Sequence, residues 1–349
     1  MNSKEILKAV TSAFGVSGFE EEVREVIAKL VSPLVDEVTT DVLGNLIAKR
    51  NGNGPRVMLD AHMDELGFMV SHIEEKGFLR FAMIGGWDQR IVPSHSVVIR
   101  TREGRKVRGV VGTVPPHLTS QEERDKAPKI EDMFVDVGAV SADEVARMGI
   151  RPGDPMTVAY PFAELNDNVI MTKALDDRAG CAVIIRALQE LKGKDLGVSL
   201  SCVFSTFEEE GLRGARTAAY ALDPQIALSF EGTIAADVPG IPPHKQPTAL
   251  GKGPAISVGD HTILVPRRMV EALEAAAARA GVAYQYKKPK YGGTNAGAIH
   301  QSRGGVLAGV LSVPCRYIHA PYGICRLDDF ENTVKMAVEF VKGAGSLAA

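Results

Sequence analysis

The chain of 349 residues has only four cysteines, Cys181, Cys202, Cys315 and Cys325, and no two of them form a CxxC pair. A disulfide framework or a thiolate zinc staple is therefore not expected. Three of the four lie in or beside apolar runs, where a cysteine usually acts as a buried free thiol. No stretch approaches the ~18 uncharged apolar residues that a membrane-spanning helix needs. Met1 to Val10 carries two lysines and a glutamate, which leaves no apolar core for a signal peptide. A formal net charge of −3 supplies no field for nucleic acid or an anionic membrane. Internal repeats and low-complexity segments are absent too. The expectation is a cytoplasmic protein with neither nucleic acid nor membrane as partner.

What is present is an ordinary globular composition, with 45% hydrophobic and 24% charged residues. The length exceeds one usual hydrophobic core, so two domains are expected. Val23, Val26, Ile27 and Leu30 recur at the spacing of one buried helical face, which predicts a helix over about Glu20 to Leu30 after a shorter one over Ser3 to Phe14. Strands follow at Leu46–Ala48 and Arg56–Leu59, the latter running into Asp60-Ala61-His62-Met63-Asp64. From about Gly67 to Asn166 short β-rich pieces succeed one another between Gly, Pro and charged turns, with one helix near Ala142–Met148. Pro115 to Lys129 lacks periodicity and reads as a long mobile loop. After Val169 helices and strands alternate to the C-terminus, through strands Val198–Thr206, Ile226–Phe230 and Val306–Val313. This pattern predicts an α/β fold, with a mostly parallel sheet covered by helices on both faces. Residues 1–67 and 166–349 would form a discontinuous catalytic domain, and residues 68–165 an inserted β-rich domain.

The chemistry-bearing residues fall at predicted strand ends, where open α/β sheets place their sites. His62 and Asp64 lie two apart in extended chain and so face one side. Alone they are more often a polar strand terminus. Asp176 and Asp177 precede an apolar helix; one can cap it, which leaves the other to explain. Glu208, Glu209 and Glu210 follow an apolar strand and would repel one another without a cation or bound proton between them. Glu231 follows Phe230 at a predicted strand end, and His319 follows the strand ending at Val313. Taken singly, a surface turn and a structural histidine are the commoner readings of these two. Together the pieces give two imidazoles and at least three carboxylates on one rim. Such ligands without thiolates suit zinc, cobalt or manganese. Two cations would activate a water and polarise a carbonyl, with a remaining acid to move the proton.

Five blocks, Ala61–Phe68, Lys173–Arg178, Glu208–Ala215, Gly292–His300 and Tyr317–His319, resemble those of the tetrahedral metallo-aminopeptidases. These are glutamyl or deblocking enzymes, some once labelled endoglucanases. The resemblance runs over nearly the whole chain with the blocks in order. It implies a zinc-peptidase-like catalytic domain that removes N-terminal residues from short peptides with two divalent metal ions, zinc or cobalt first and manganese as an alternative. Asp176 would bridge the metals, His62 and Glu231 would serve one, and Glu209 and His319 the other. Glu208 matches the general base and Asp64 the acid that orients the His62 ring. The Asp176–Asp177 bond matches one that is cis in relatives. Gly292, Gly293, Thr294 and Asn295 match a substrate-binding block. Many relatives have Asp at the positions of Glu231 and Asn295. The resemblance also implies that the insert is a PDZ-like dimerisation domain, that dimers assemble into a tetrahedral dodecamer, and that the Pro115–Lys129 loop reaches towards the interior.

A two-metal deacylase or carboxypeptidase-like enzyme is the runner-up, and the Gly292–Gly297 block and the insert position favour the aminopeptidase. A glycosidase would leave two histidines idle. A metal-binding assembly protein without turnover would not need Glu208. Arg316 and Arg326 could attract an acidic substrate side chain, although surface arginines are the commoner reading.

Overall fold

The structure is a computed structural model that describes residues 1–289 and 291–348. The chain divides into two compact units, one of residues Met1–Asp64, Phe162–Ile318 and Tyr322–Ala349 and one of Glu65–Pro161 with His319–Pro321.

The larger unit is built on an 11-stranded sheet. At its centre Ser199–Ser205, Arg56–His62, Ile226–Ile234 and Leu307–Arg316 lie side by side and parallel. On one flank Leu46–Arg50 and then Glu37–Thr40 add antiparallel. On the other flank Gly323–Arg326, Val169–Thr172 and Ala163–Asn166 do the same. The sheet is thus mixed rather than mostly parallel: its four central strands are parallel, as is the short pair Ala255–Ser257 and Gln285–Lys287 beside them, and the flanks are antiparallel. The flanking strands are mostly four residues long, too short for a sequence period to register.

The central strands carry near-continuous apolar runs. Val57 to His62, Ile226 to Thr233 and Leu307 to Cys315 are buried without alternation. Successive side chains point to opposite faces, so both faces of this region are covered. Helix Leu175–Leu191 supplies Val183, Ile184, Ala187 and Leu188 to the core, and Leu327–Gly343 adds Phe330, Val334 and Phe340. Helix Ser3–Ser12 starts in a capping box, with the Asn2 side chain accepting from the Glu5 amide and the Glu5 carboxylate from the Asn2 amide. It buries Ile6, Leu7 and Val10. Ala296–Ile299 forms a single helical turn. Among the described residues no helix is long and apolar enough to cross a membrane.

The smaller unit is a closed barrel of six antiparallel strands, in the order Gly67–Ile73, Leu79–Ile84, Phe134–Asp136, Lys106–Gly112, Ser96–Arg100 and Pro155–Val158. Its core holds Phe68 stacked on Trp87 at 4.9 Å between ring centres. Helix Ala142–Met148 begins at Ser141, whose hydroxyl accepts from the Glu144 amide, and stops at Gly149, whose φ of 87° suits a residue without Cβ. Pro115 to Lys129, expected as an irregular loop, contains the turn Pro116–Leu118 and the helical segment Gln121–Arg124. Side-chain bonds four residues apart, Gln121 to Asp125 and Lys126 to Glu122, hold that helical piece.

Candidate metal centre

In the larger unit the parallel register decides which side chains meet. His62 ends its strand and pairs with Ser205, while Asp60 pairs with Val203 on one side and Ser229 on the other. Two residues beyond Ser229 stands Glu231, so it lies level with His62. Sequence reasoning put Glu231 at a strand end, but the strand continues to Ile234 and Glu231 is its sixth residue. A buried charge within a strand imitates a terminus when only the sequence is read.

His62 is 1% exposed. Its Nε2 lies 3.3 Å from Asp176 Oδ1, 3.8 Å from Glu231 Oε2 and 3.9 Å from Glu208 Oε2. Three acids from separate segments therefore surround one ring nitrogen. The other nitrogen, Nδ1, is 3.2 Å from the Asp64 carbonyl oxygen and 3.4 Å from Asp64 Oδ1. That contact fixes the ring's orientation.

The acidic pair is split by role. Asp177 Oδ1 accepts the Gly180 amide at 2.9 Å and so caps the helix, while Asp176 turns to His62. The Asp176–Asp177 peptide bond is cis, and both residues are non-helical. Gly232 allows this segment to pass close: a Cβ there would sit 2.7 Å from the Leu175 carbonyl oxygen and 3.0 Å from the Asp176 Cα. Just beyond, the fully buried Arg178 donates to the carbonyls of Val10 at 2.6 Å and Gly15 at 3.2 Å.

Glu208 and Glu209 ride on a turn that leaves the strand Ser199–Ser205. Phe207 takes φ 53°, a left-handed conformation unusual for a bulky residue. The turn closes with the Gly211 amide donating to the Glu208 carbonyl at 2.9 Å. Asp64 holds it from below, its Oδ1 accepting the Glu208 amide at 3.1 Å and its Oδ2 the Glu209 amide at 3.2 Å.

Burial and crowding set the electrostatics. Burial first, then the neighbouring Glu209, Asp64 and Asp176, push the Glu208 carboxyl up to about 8 despite His62. Burial, with Asp177 and Glu208, also holds Glu231 well above the usual carboxyl range. Burial opposes charge on His62, but Glu208, Asp176 and Asp64 outweigh it and raise the imidazole well above its ordinary value. Asp64 is the exception: burial works against its charge, and the His62 contact with the Ser17 and Glu208 donors hold it low.

These residues fit divalent cations. His62, Asp176 and Glu231 bring one ligand atom each within 4.8 Å of one another, and His62, Glu208 and Glu209 do likewise. Glu231 Oε1 is buried without a hydrogen-bond partner among the described residues, a cost that a cation removes. The donors are imidazole and carboxylate. The nearby Cys181 thiol instead donates to the His62 carbonyl at 3.2 Å.

His319 packs with the smaller unit, its Nδ1 3.0 Å from the Gly86 carbonyl oxygen. Gly292 and Gly293 are exposed, whereas Thr294 and Asn295 are buried. The Thr294 hydroxyl donates to Asp260 at 3.0 Å and the Asn295 amide to Ser205 at 2.9 Å. Arg316 and Arg326 are engaged by Asp237 and Asp328. Sequence reasoning missed three buried polar residues next to the centre. Asp60 shares the face of His62, and the signal for it was a charge two residues before His62 in an apolar strand. Ser17 and Glu20 carried no such signal.

Residues 44–336 match the M42 glutamyl aminopeptidase family, and the chain belongs to it. The resemblance carried by the sequence blocks is thereby established. A putative aminopeptidase, FrvX, of Escherichia coli K12 is 38% identical over 327 residues, covering 94% of this chain and 91% of that protein. Among solved structures, a TET aminopeptidase from the marine sediment archaeon Thaumarchaeota archaeon SCGC AB-539-E09 superposes with a TM-score of 0.93 at 38% identity, over 97% of this chain and 96% of that one. The TET1 peptidase of Pyrococcus horikoshii, which can assemble into a tetrahedron or a large octahedral shell, gives 0.87 at 32% identity over 97% and 98%.

Proposed function

We propose that this chain is a cytoplasmic two-metal aminopeptidase that removes N-terminal amino acids from short peptides. The observation that carries this reading is the set of three carboxylates within 3.3 to 3.9 Å of His62 Nε2. In this reading Asp176 would serve both of two cations, His62 and Glu231 would help to hold one, and Glu209 and His319 the other. A bound pair of zinc, cobalt or manganese ions would bring the pKa of a water towards neutrality and polarise the scissile carbonyl.

The chain's own groups do the rest. Glu208 takes the water's proton and delivers it to the leaving amine. Asp64 keeps the His62 ring in place and fixes the turn that carries Glu208. The Gly292–Asn295 block binds substrate through the backbone of its exposed glycines, since Thr294 and Asn295 are bonded internally.

Residues 68–165 serve as the PDZ-like dimerisation domain of a catalytic domain made from 1–67 and 166–349. The dimers assemble into a dodecameric tetrahedron. The assembly of the Pyrococcus horikoshii relative supports this part.

The test is release of free amino acids from unblocked peptides by protein loaded with zinc, cobalt or manganese. Cleavage confined to N-blocked peptides or acylated amino acids would replace the aminopeptidase with a deacylase.

A further inference from the structure

The proton carrier assigned above sits on a turn that is held by residues far away in sequence. Two carboxylates reach the backbone of this turn. Asp64 accepts the amides of Glu208 and Glu209, and Glu20 Oε1 accepts the amide of Phe207 at 3.3 Å. Three consecutive amides are thus fixed by two side chains. The same Glu20 oxygen accepts the Gly18 amide at 2.8 Å. Ser17 donates its hydroxyl to Asp64 Oδ2 in a very short hydrogen bond. Gly18, at φ 87°, lies close enough that a Cβ there would stand 3.1 Å from the Phe207 ring.

This tight turn, Val16 to Phe19, closes on itself with the Phe19 amide donating to the Val16 carbonyl at 2.7 Å. It is anchored from behind. Arg178 grips the carbonyls of Val10 and Gly15, and Lys173 donates to the Ala13 carbonyl at 3.1 Å. The segment from Val10 to Glu20 therefore joins the Asp176 side of the centre to the Glu208 side. Backbone strain such as that of Phe207 persists only where surrounding contacts over-determine it. Glu20 and Asp64 are the contacts on either side of the strained residue's link to Glu208.

We infer that Ser17 and Glu20 are positioning residues, which act through Asp64 and the Phe207 amide to hold Glu208 and Glu209 at the metal centre. Glu20 and Ser17 are 3% and 4% exposed, so neither is available to a peptide substrate. Burial, and next the charge of Asp64, raise the Glu20 carboxyl to about 7. A neutral side chain is therefore compatible with the site, and what the turn needs from Glu20 is an acceptor oxygen. Glutamine supplies one and alanine does not.

This inference rests on the two-metal aminopeptidase reading, and the experiment separates the two. Full-length wild type, Ser17→Ala, Glu20→Ala and Glu20→Gln are compared by peptide turnover and by calorimetric titration of metal-free protein with zinc. Ser17→Ala and Glu20→Ala are expected to lower kcat by about ten- to a hundredfold with KM within about twofold, the scale of a misplaced reacting group. Zinc binding weakens by about tenfold because Glu209 shares the turn. Glu20→Gln recovers most of both losses. Equal kcat and zinc affinity in wild type and the alanine variants would overturn the inference, and so would a Glu20→Gln variant no better than Glu20→Ala. If Glu20→Ala does not fold, Ser17→Ala, which removes one hydroxyl, decides by the same two measurements. A wild type that binds zinc but releases no amino acid ends the aminopeptidase reading alone, and the zinc titrations still judge the positioning role. A wild type that neither binds zinc nor turns over ends both.

Discussion

Asp64 accepts the backbone amide of Glu208 at 3.1 Å and lies 3.4 Å from the His62 ring, so one carboxylate sets the position of both an imidazole and the turn beside it. It is fully buried, and its oxygens accept from Ser17 and from the Glu208 and Glu209 amides beside the His62 ring. Its negative charge is therefore compensated locally and its two oxygens are both committed.

Replacing Asp64 by asparagine keeps the shape and one acceptor but turns a donor group towards Ser17 or the Glu209 amide. The expected result is a ~10- to 100-fold loss in metal affinity or activity, the scale found when a group supporting a ligand is changed. Zinc competition against a chelator measures it. Unchanged affinity and turnover would remove Asp64 from the centre.

Glu208→Gln separates binding from chemistry. Metal content should be retained while turnover falls by ~10²–10⁴-fold, the usual contribution of an acid–base group. Metal analysis beside steady-state rates gives the answer. A variant with wild-type rates would remove Glu208 from the proton transfer.

The raised carboxyls make the metal-free protein sensitive to alkali. Glu208 moves from its ordinary 4.5 to about 8, and Asp60, buried beside His62, from 3.8 to about 6, with burial the leading cause for both. A group whose pKa rises on folding stabilises the fold fully below its unfolded value, and this stabilisation is lost as pH climbs through the folded value. The raised His62 acts in the same direction. The melting temperature of metal-free protein should therefore fall between about pH 5 and about pH 8.5, and zinc should restore more of it at the upper end. A flat profile with equal zinc gain at both ends would contradict the electrostatics of the site.

Gly232 is where strand backbone and the Asp176 segment come closest. Gly232→Ala places a methyl group 2.7 Å from the Leu175 carbonyl oxygen, so one of the two backbones must move. Zinc affinity should fall by about tenfold or more through displacement of Asp176. Calorimetric titration reads this directly, and unaltered binding would show that the approach is slack.

Arg178 is a test of the scaffold. Arg178→Met removes the guanidinium that donates to the carbonyls of Val10, Ala13 and Gly15. The loss should reach about 3 kcal/mol, as charged hydrogen bonds contribute about 1.5–3 kcal/mol each and are only partly additive. Urea unfolding of metal-free protein provides the measurement. A loss below about 0.5 kcal/mol would class Arg178 with ordinary surface positions.

The sequence made the centre legible where local rules act. The two-residue spacing of His62 and Asp64 in extended chain, and the choice between capping and ligation at Asp176 and Asp177, follow from geometry within a few residues. Glu231 was read as the end of a strand, whereas that strand runs four residues beyond Phe230, to Ile234. The antiparallel flanks, such as Gly323–Arg326 and Val169–Thr172, were missed, since four-residue strands give no period and their pairing partners are distant in the chain. Ser17 and Glu20 were not legible at all. A polar turn shows in sequence, but which remote amide its side chain will meet is decided only by tertiary packing.

The parallel ladder has one more consequence, for ion size. The ladder pairs the strands of His62 and Glu231 up to Asp60 and Ser229, two residues before each, with the strands about 4.8 Å apart. Widening the gap between them would require the rungs below to shear. A cradle so stiff favours small ions with ligand distances of about 2.0–2.2 Å, and calcium, which prefers about 2.3–2.6 Å and more oxygens, should not displace zinc from it.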